Sequence, residues 1–143
     1  MRNLLVLLTA LALSGIASAA EWAKNTSYLA PDGSRVLRVE VVVRASLADT
    51  WTAFTTPEGW RTWAVPYSTL SAPKLAQGAE FESAFDPAAK PGADTNIRHR
   101  ILAFIPDRMF AYHISQTPKG FPHPEEIRPV FSVVEFEPLS AKK

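Results

Sequence analysis

The sequence predicts an α+β domain whose helices are gathered at one place along the chain and whose remainder is an antiparallel sheet. Three observations lead there. Residues 36–43 alternate apolar and polar side chains, a capped helical stretch follows from Ser46 to Trp63, and further alternating stretches lie between residues 79 and 137. A strand, one or two short helices and then a run of strands is an α+β order. The alternation suits a curved antiparallel sheet with one face on the core and the other in water.

Taken in order, residues 21–30 form a mixed lead-in that closes on the turn-forming Pro31-Asp32-Gly33-Ser34. The strand over 36–43 puts Leu37, Val39, Val41 and Val43 on one face and Arg38 and Glu40 on the other, which predicts half burial. Ser46 stands at a helix N-cap position, with Asp49 three residues later as a weaker form of the capping box. Leu47, Trp51 and Phe54 recur at helical spacing, and Pro57 ends that helix and starts another turn over 58–63. In 79–85, Phe81 and Phe85 share one side and Glu80 and Glu82 the other. Residues 86–95 read as a loop. Residues 96–105 and 108–115 read as an antiparallel hairpin joined at Pro106-Asp107. The 116–129 stretch carries prolines at 118, 122, 124 and 129 and reads as a long, stiffened loop before a last strand over 130–137.

The chain has 143 residues, no cysteine, 12 prolines and a formal net charge of +1. Residues 1–19 read as a removable export signal. Arg2 supplies a positive start, residues 4–16 an apolar core interrupted only by Thr9, Ser14 and Gly15, and Ala17-Ser18-Ala19 a small-x-small cleavage pattern. The apolar run is shorter than the about 20 residues a membrane span needs, and no second run follows. Residues 20–143 are then one domain by size, long enough to bury roughly two-thirds of their unfolded surface. Without Arg2 the acidic and basic side chains balance, which argues against nucleic-acid binding and against a polybasic membrane contact. An exported chain without cysteine has no disulfides and no thiolate metal site. The predicted location is the periplasm or the cell exterior. Asn25-Thr26-Ser27 matches the glycosylation pattern but carries little weight in a bacterial export.

The stretch from Ala45 through Trp63, with Gln77-Gly78-Ala79-Glu80-Phe81, residues 101–109 and residues 131–138, resembles the SRPBCC superfamily by order and spacing. That group holds START-like, polyketide-cyclase-like and birch-pollen-allergen-like proteins, and the chain is most similar to the branch of the activator of heat-shock-protein-90 ATPase. The resemblance covers roughly residues 35 to 139. It implies a helix-grip fold, a curved antiparallel sheet wrapped around a long C-terminal helix with an apolar cavity between them. The family pattern continues with one more strand and that helix, whereas six residues follow Glu137 here. The chain is therefore expected to be truncated before these elements. Otherwise a partner, or a second copy in a homodimer, would cover the face of Phe81, Phe85, Phe110, Tyr112 and Ile114.

Local motifs for chemistry are sparse. His99, His113 and His123 form no metal-binding pattern, so no metal is expected, and nothing calls for a cofactor. His113 shares a strand face with Met109 and Ala111, opposite Phe110, Tyr112 and Ile114, and would be a polar handle in the cavity if that face looked inward. The plainer alternative is a surface histidine. No Gly-x-Ser-x-Gly elbow presents a serine. Glu80 and Glu82, like Arg98 and Arg100 on the neighbouring strand, read as solvated faces joined by cross-strand ion pairs rather than an acid–base pair. Trp51, Trp60 and Trp63 cluster around the helices, which in helix-grip proteins lie near the cavity mouth. Trp60, Trp63 and Tyr67 are the candidates for lining the entrance, with Phe121 in the proline-rich loop as a lid.

The first reading is a non-enzymatic, exported binding protein for a small hydrophobic or amphipathic ligand, with Phe81, Phe85, Phe110, Tyr112 and His113 in the cavity. A cyclase or aromatase-type enzyme using a cavity histidine is the alternative, and a protein-interaction module the third.

Overall fold

The computed structural model describes residues 23–139, which fall into two compact units divided between Arg44 and Ala45. The expected export signal lies outside the described residues.

The first unit is an irregular antiparallel hairpin. Strands β1 (Ala23–Asn25) and β2 (Tyr28–Leu29) run outward, and β3 (Arg35–Val36) and β4 (Val39–Val41) return, with β1 pairing β4 and β2 pairing β3. The chain reverses at residues 31–34, where Gly33 takes a φ of 84° that only glycine adopts without strain. The Ser34 amide and hydroxyl both donate to the Asp32 carboxylate, at 2.9 and 2.7 Å, and hold its pKa below the ordinary range. The half-burial expected for 36–43 is overturned: Leu37, Val39, Val41 and Val43 are all exposed, and the run is broken at Leu37-Arg38 into two short strands. Alternation marks which side chains share a face, but a two-stranded ribbon has no layer of its own with which to cover one.

The second unit carries the core. Helix α1 (Leu47–Thr55) starts at Ser46, whose hydroxyl accepts from the Asp49 amide at 3.0 Å and donates to the Asp49 carboxylate at 2.7 Å. Helix α2 (Pro57–Trp63) has proline at its first position and Thr56 as its N-cap, accepting from the Gly59 amide at 3.0 Å. A five-stranded antiparallel sheet follows in simple meander order: β5 (Tyr67–Leu70), β6 (Glu80–Ala84), β7 (Ile97–Ile105), β8 (Met109–Gln116) and β9 (Phe131–Glu135). The mixed α+β class and the antiparallel run are as read from the sequence. Strand β5 is an element that the sequence reading missed, as is the short helix α3 (Pro124–Ile127) inside the proline-rich loop. Four residues are too few to show a period.

Register assigns the two faces, because directly opposed residues project to the same side. Phe81 faces His99 and Leu70, and Tyr112 faces Ile101 and Ser132, on the side that receives the helices. Glu80 faces Arg100 and Glu82 faces Arg98 on the other side, forming the expected cross-strand ion pairs at 3.0 and 3.8 Å. A bulge between Ile101 and Ala103 adds a residue to β7. Ile101 and Phe104 thus both reach the helix face although three positions apart. The core there is Trp60, Val65, Phe81, Ile101, Phe110 and Phe136, with Trp51 and Phe54 edge-on to Phe136 at 5.4 and 5.5 Å.

Candidate functional site

Two features share the helix face. The first is a row of polar side chains running across three strands. Ser68 on β5 lies opposite Ser83 on β6, and the Ser83 hydroxyl lies 3.4 Å from Nε2 of His99 on β7. Both serines are 1% exposed. The row is walled by aromatic rings: the His99 ring centroid is 5.3 Å from those of both Trp60 and Tyr112, and Trp60 also stacks on Phe81 at 5.3 Å. Burial in this surround lowers the His99 pKa from its ordinary 6.5 to about 4, so the ring is neutral at physiological pH. Nδ1 of His99 and the hydroxyl of Ser68 are buried without a protein partner.

The second feature is an open cleft of about 330 Å³ at the junction of α1 and α2, the β5–β6 connection and the β7–β8 turn. Trp51, Leu70, Leu75, Phe104 and Pro106 supply most of its apolar wall, Thr55 and Thr56 its hydroxyls, and the exposed Glu58 and Lys74 its charges. Thr55 is already committed, donating to the Trp51 carbonyl at 2.7 Å. Glu58 pairs with Arg61 at 3.0 Å, and the Arg61 guanidinium also donates to the Ser68 carbonyl at 2.9 Å, tying α2 to β5.

The residues singled out from the sequence are dispersed over this unit. Trp60, Phe81 and Phe110 are core, and Tyr112 is half-buried beside His99. Phe85 lies past the end of β6 and is 75% exposed, which removes it from any interior wall. Its side chain shares parity with Phe81, but the strand stops one residue short of it. Tyr67 opposes Ala84 and so projects to the side away from Ser68. His113 opposes Arg100 and Phe131 on the ion-paired face, so the interior histidine is His99. Trp63 is 54% exposed, its ring on Phe54 at 4.5 Å and its indole donating to the Ala53 carbonyl. Phe121 sits in the loop before α3, also exposed. None of these nine residues lines the cleft. No local pattern singled out His99, since Phe81, His99 and Tyr112 align only once register is known.

The strand carboxylates Glu80, Glu82 and Glu135 all belong to the face opposite His99. A serine–histidine pair without an orienting acid lacks the third member of a nucleophilic triad. Among the described residues, no three metal-ligating side chains converge, and no helix is long and apolar enough to cross a membrane.

By architecture this is an α+β chain built on an antiparallel meander with short helices on one face. Compared with protein-family models, with curated proteins and with solved structures, it shows no match.

Proposed function

We propose that the protein binds a small hydrophobic or amphipathic molecule at the helix-covered face of its sheet, without transforming it. The observation that carries this reading is the cleft of about 330 Å³, apolar along most of its wall and open to solvent. Its size is at the lower end of small-molecule sites. Binding there would draw on desolvation of Trp51, Leu70, Leu75 and Phe104. The resemblance of residues 35–139 to the helix-grip proteins of the SRPBCC superfamily supports ligand binding, and the composition of residues 1–19 supports export.

The test is a calorimetric titration of the chain with naphthalene, a rigid apolar probe of suitable size. Binding in the micromolar to sub-millimolar range, weakened about tenfold or more by Leu75→Arg with the near-ultraviolet circular dichroism unchanged, is the expected result. No binding of this probe or of larger polycyclic ones, neither as heat nor as quenching of tryptophan fluorescence, would overturn the reading.

An enzymatic reading of the cyclase type rests on His99 instead of His113, because His99 is the half-buried histidine beside a serine on the helix face. Its pKa of about 4 makes it a weak base at neutral pH, which places this reading second.

A further inference from the structure

We propose that the cleft takes amphipathic anions, molecules with an apolar body and a carboxylate head, and that Lys74 seats the head. The inference rests on the binding reading above and specifies the class of ligand.

The polar groups of the wall decide what a ligand can carry besides its apolar body. Both hydroxyls are committed as donors. Thr55 donates to the Trp51 carbonyl at 2.7 Å and Thr56 to the Thr52 carbonyl at 2.9 Å, and Thr56 also accepts from the Gly59 amide. Of the two charged residues in the wall, Glu58 is paired with Arg61 at 3.0 Å, and Arg61 is further tied to the Ser68 carbonyl at 2.9 Å. Lys74 makes no ion pair or hydrogen bond among the described residues. The wall therefore carries one uncompensated charge, and it is positive.

The place of that charge suits a ligand with two ends. Lys74 is exposed, whereas its chain neighbour Leu75 is half-buried against the core and lines the same cleft. A molecule laid on the apolar wall would hold its head at the rim beside the ammonium, where an ion keeps much of its water and escapes the cost of burial. Desolvation of the body then supplies the affinity, and the solvated ion pair adds a smaller preference for sign. Asp107 and Arg108, in the turn after Pro106, lie outside the wall and offset one another. The whole chain has a formal net charge of only +1, so long-range attraction gives no comparable preference for anions.

Three probes of one ring system decide the matter: naphthalene, 2-naphthoate and 2-naphthylmethylammonium, titrated into the chain at pH 7 and followed by calorimetry and tryptophan fluorescence. In about 10 mM salt, 2-naphthoate should bind about threefold or more tightly than the ammonium, and in about 1 M salt the two should converge. Lys74→Gln should erase the difference and leave naphthalene within about twofold of its original affinity, and Lys74→Glu should reverse the order of the two ions. Equal binding of the two ions in low salt, a preference for the ammonium, or a preference for naphthoate that survives Lys74→Gln would overturn the seat. Naphthalene binding would in each of those cases leave the cleft reading intact. Failure of all three probes to bind would overturn both.

Discussion

The indole of Trp60 lies nearly parallel to the ring of Phe81, with centroids 5.3 Å apart and an interplanar angle of 15°, while its Nε1 donates to the Phe54 carbonyl at 2.6 Å. One side chain therefore ties α2 to the sheet through its face and to α1 through its edge. The bond from Nε1 also satisfies a carbonyl near the end of α1, where the helix's own ladder runs out.

Trp60→Ala should lower the free energy of unfolding by about 3–5 kcal/mol, the usual cost of deleting a large buried aromatic. Trp60→Phe should keep most of the contact area yet remove the donor to Phe54, at a smaller cost of about 1–3 kcal/mol. Urea unfolding followed by circular dichroism separates the two. A negligible loss for Trp60→Phe would mean that the indole bond contributes nothing.

Acid should destabilise the protein through His99. The unfolded imidazole takes its proton near pH 6.5 and the folded one only near about 4. Between these values the unfolded state binds more protons, so stability falls as the pH is lowered across that window, by roughly 3 kcal/mol in all. His99→Phe should flatten this part of the profile, measured as urea midpoints between pH 7.5 and 4.

Glu80 adds a second acid-sensitive contribution at lower pH. Burial raises its pKa, but the hydrogen bond from Ser115 and the pairing with Arg100 outweigh this and leave it below the ordinary value. Its stabilisation is present at neutral pH and lost as the carboxylate protonates. Ser115→Ala should move that loss to higher pH, visible in the titration of the Glu80 carboxyl carbon by NMR.

Gly59→Ala should disrupt the α1–α2 junction. A methyl at position 59 would stand 2.6 Å from the Cα of Ala53 and 2.7 Å from its carbonyl oxygen, with the Thr52 carbonyl oxygen closer still. Rigid backbone cannot yield as a flexible side chain does, so the helices must separate. The expected cost is about 2 kcal/mol or more, read as a drop in thermal midpoint. Ser46→Ala, which removes only the N-cap of α1, should cost about 1 kcal/mol.

Expression with export should yield a chain beginning at Ala20, because Ala17 and Ala19 are the small residues of the cleavage pattern. Intact-mass measurement of the periplasmic fraction checks this. A full-length mass in that fraction would refute the cleavage site.

Much of the fold was legible from local signals. Ser46 and Pro57 mark the two helix starts because capping and a missing amide act within a few residues. Glu80 and Glu82 against Arg98 and Arg100 marked the ion-paired face, and the pairing followed their two-residue spacing. Less was legible of the site. Phe85 continues the alternation of Phe81, yet β6 ends at Ala84 and leaves it in solvent. His113 and His99 are equally plausible on paper, because period two says which residues share a face but not which face meets the helices.

The sequence by itself determined the class of fold, the helix starts, the strand faces and the near-neutral charge, since each depends on neighbours a few residues apart. Tertiary structure alone decided that His99 lies half-buried on the helix face, that Ser68 and Ser83 meet beside it, and that the cleft forms around Leu70 and Phe104. Those relations depend on strand register and on a one-residue bulge in β7, and register emerges only when separate segments pack against one another.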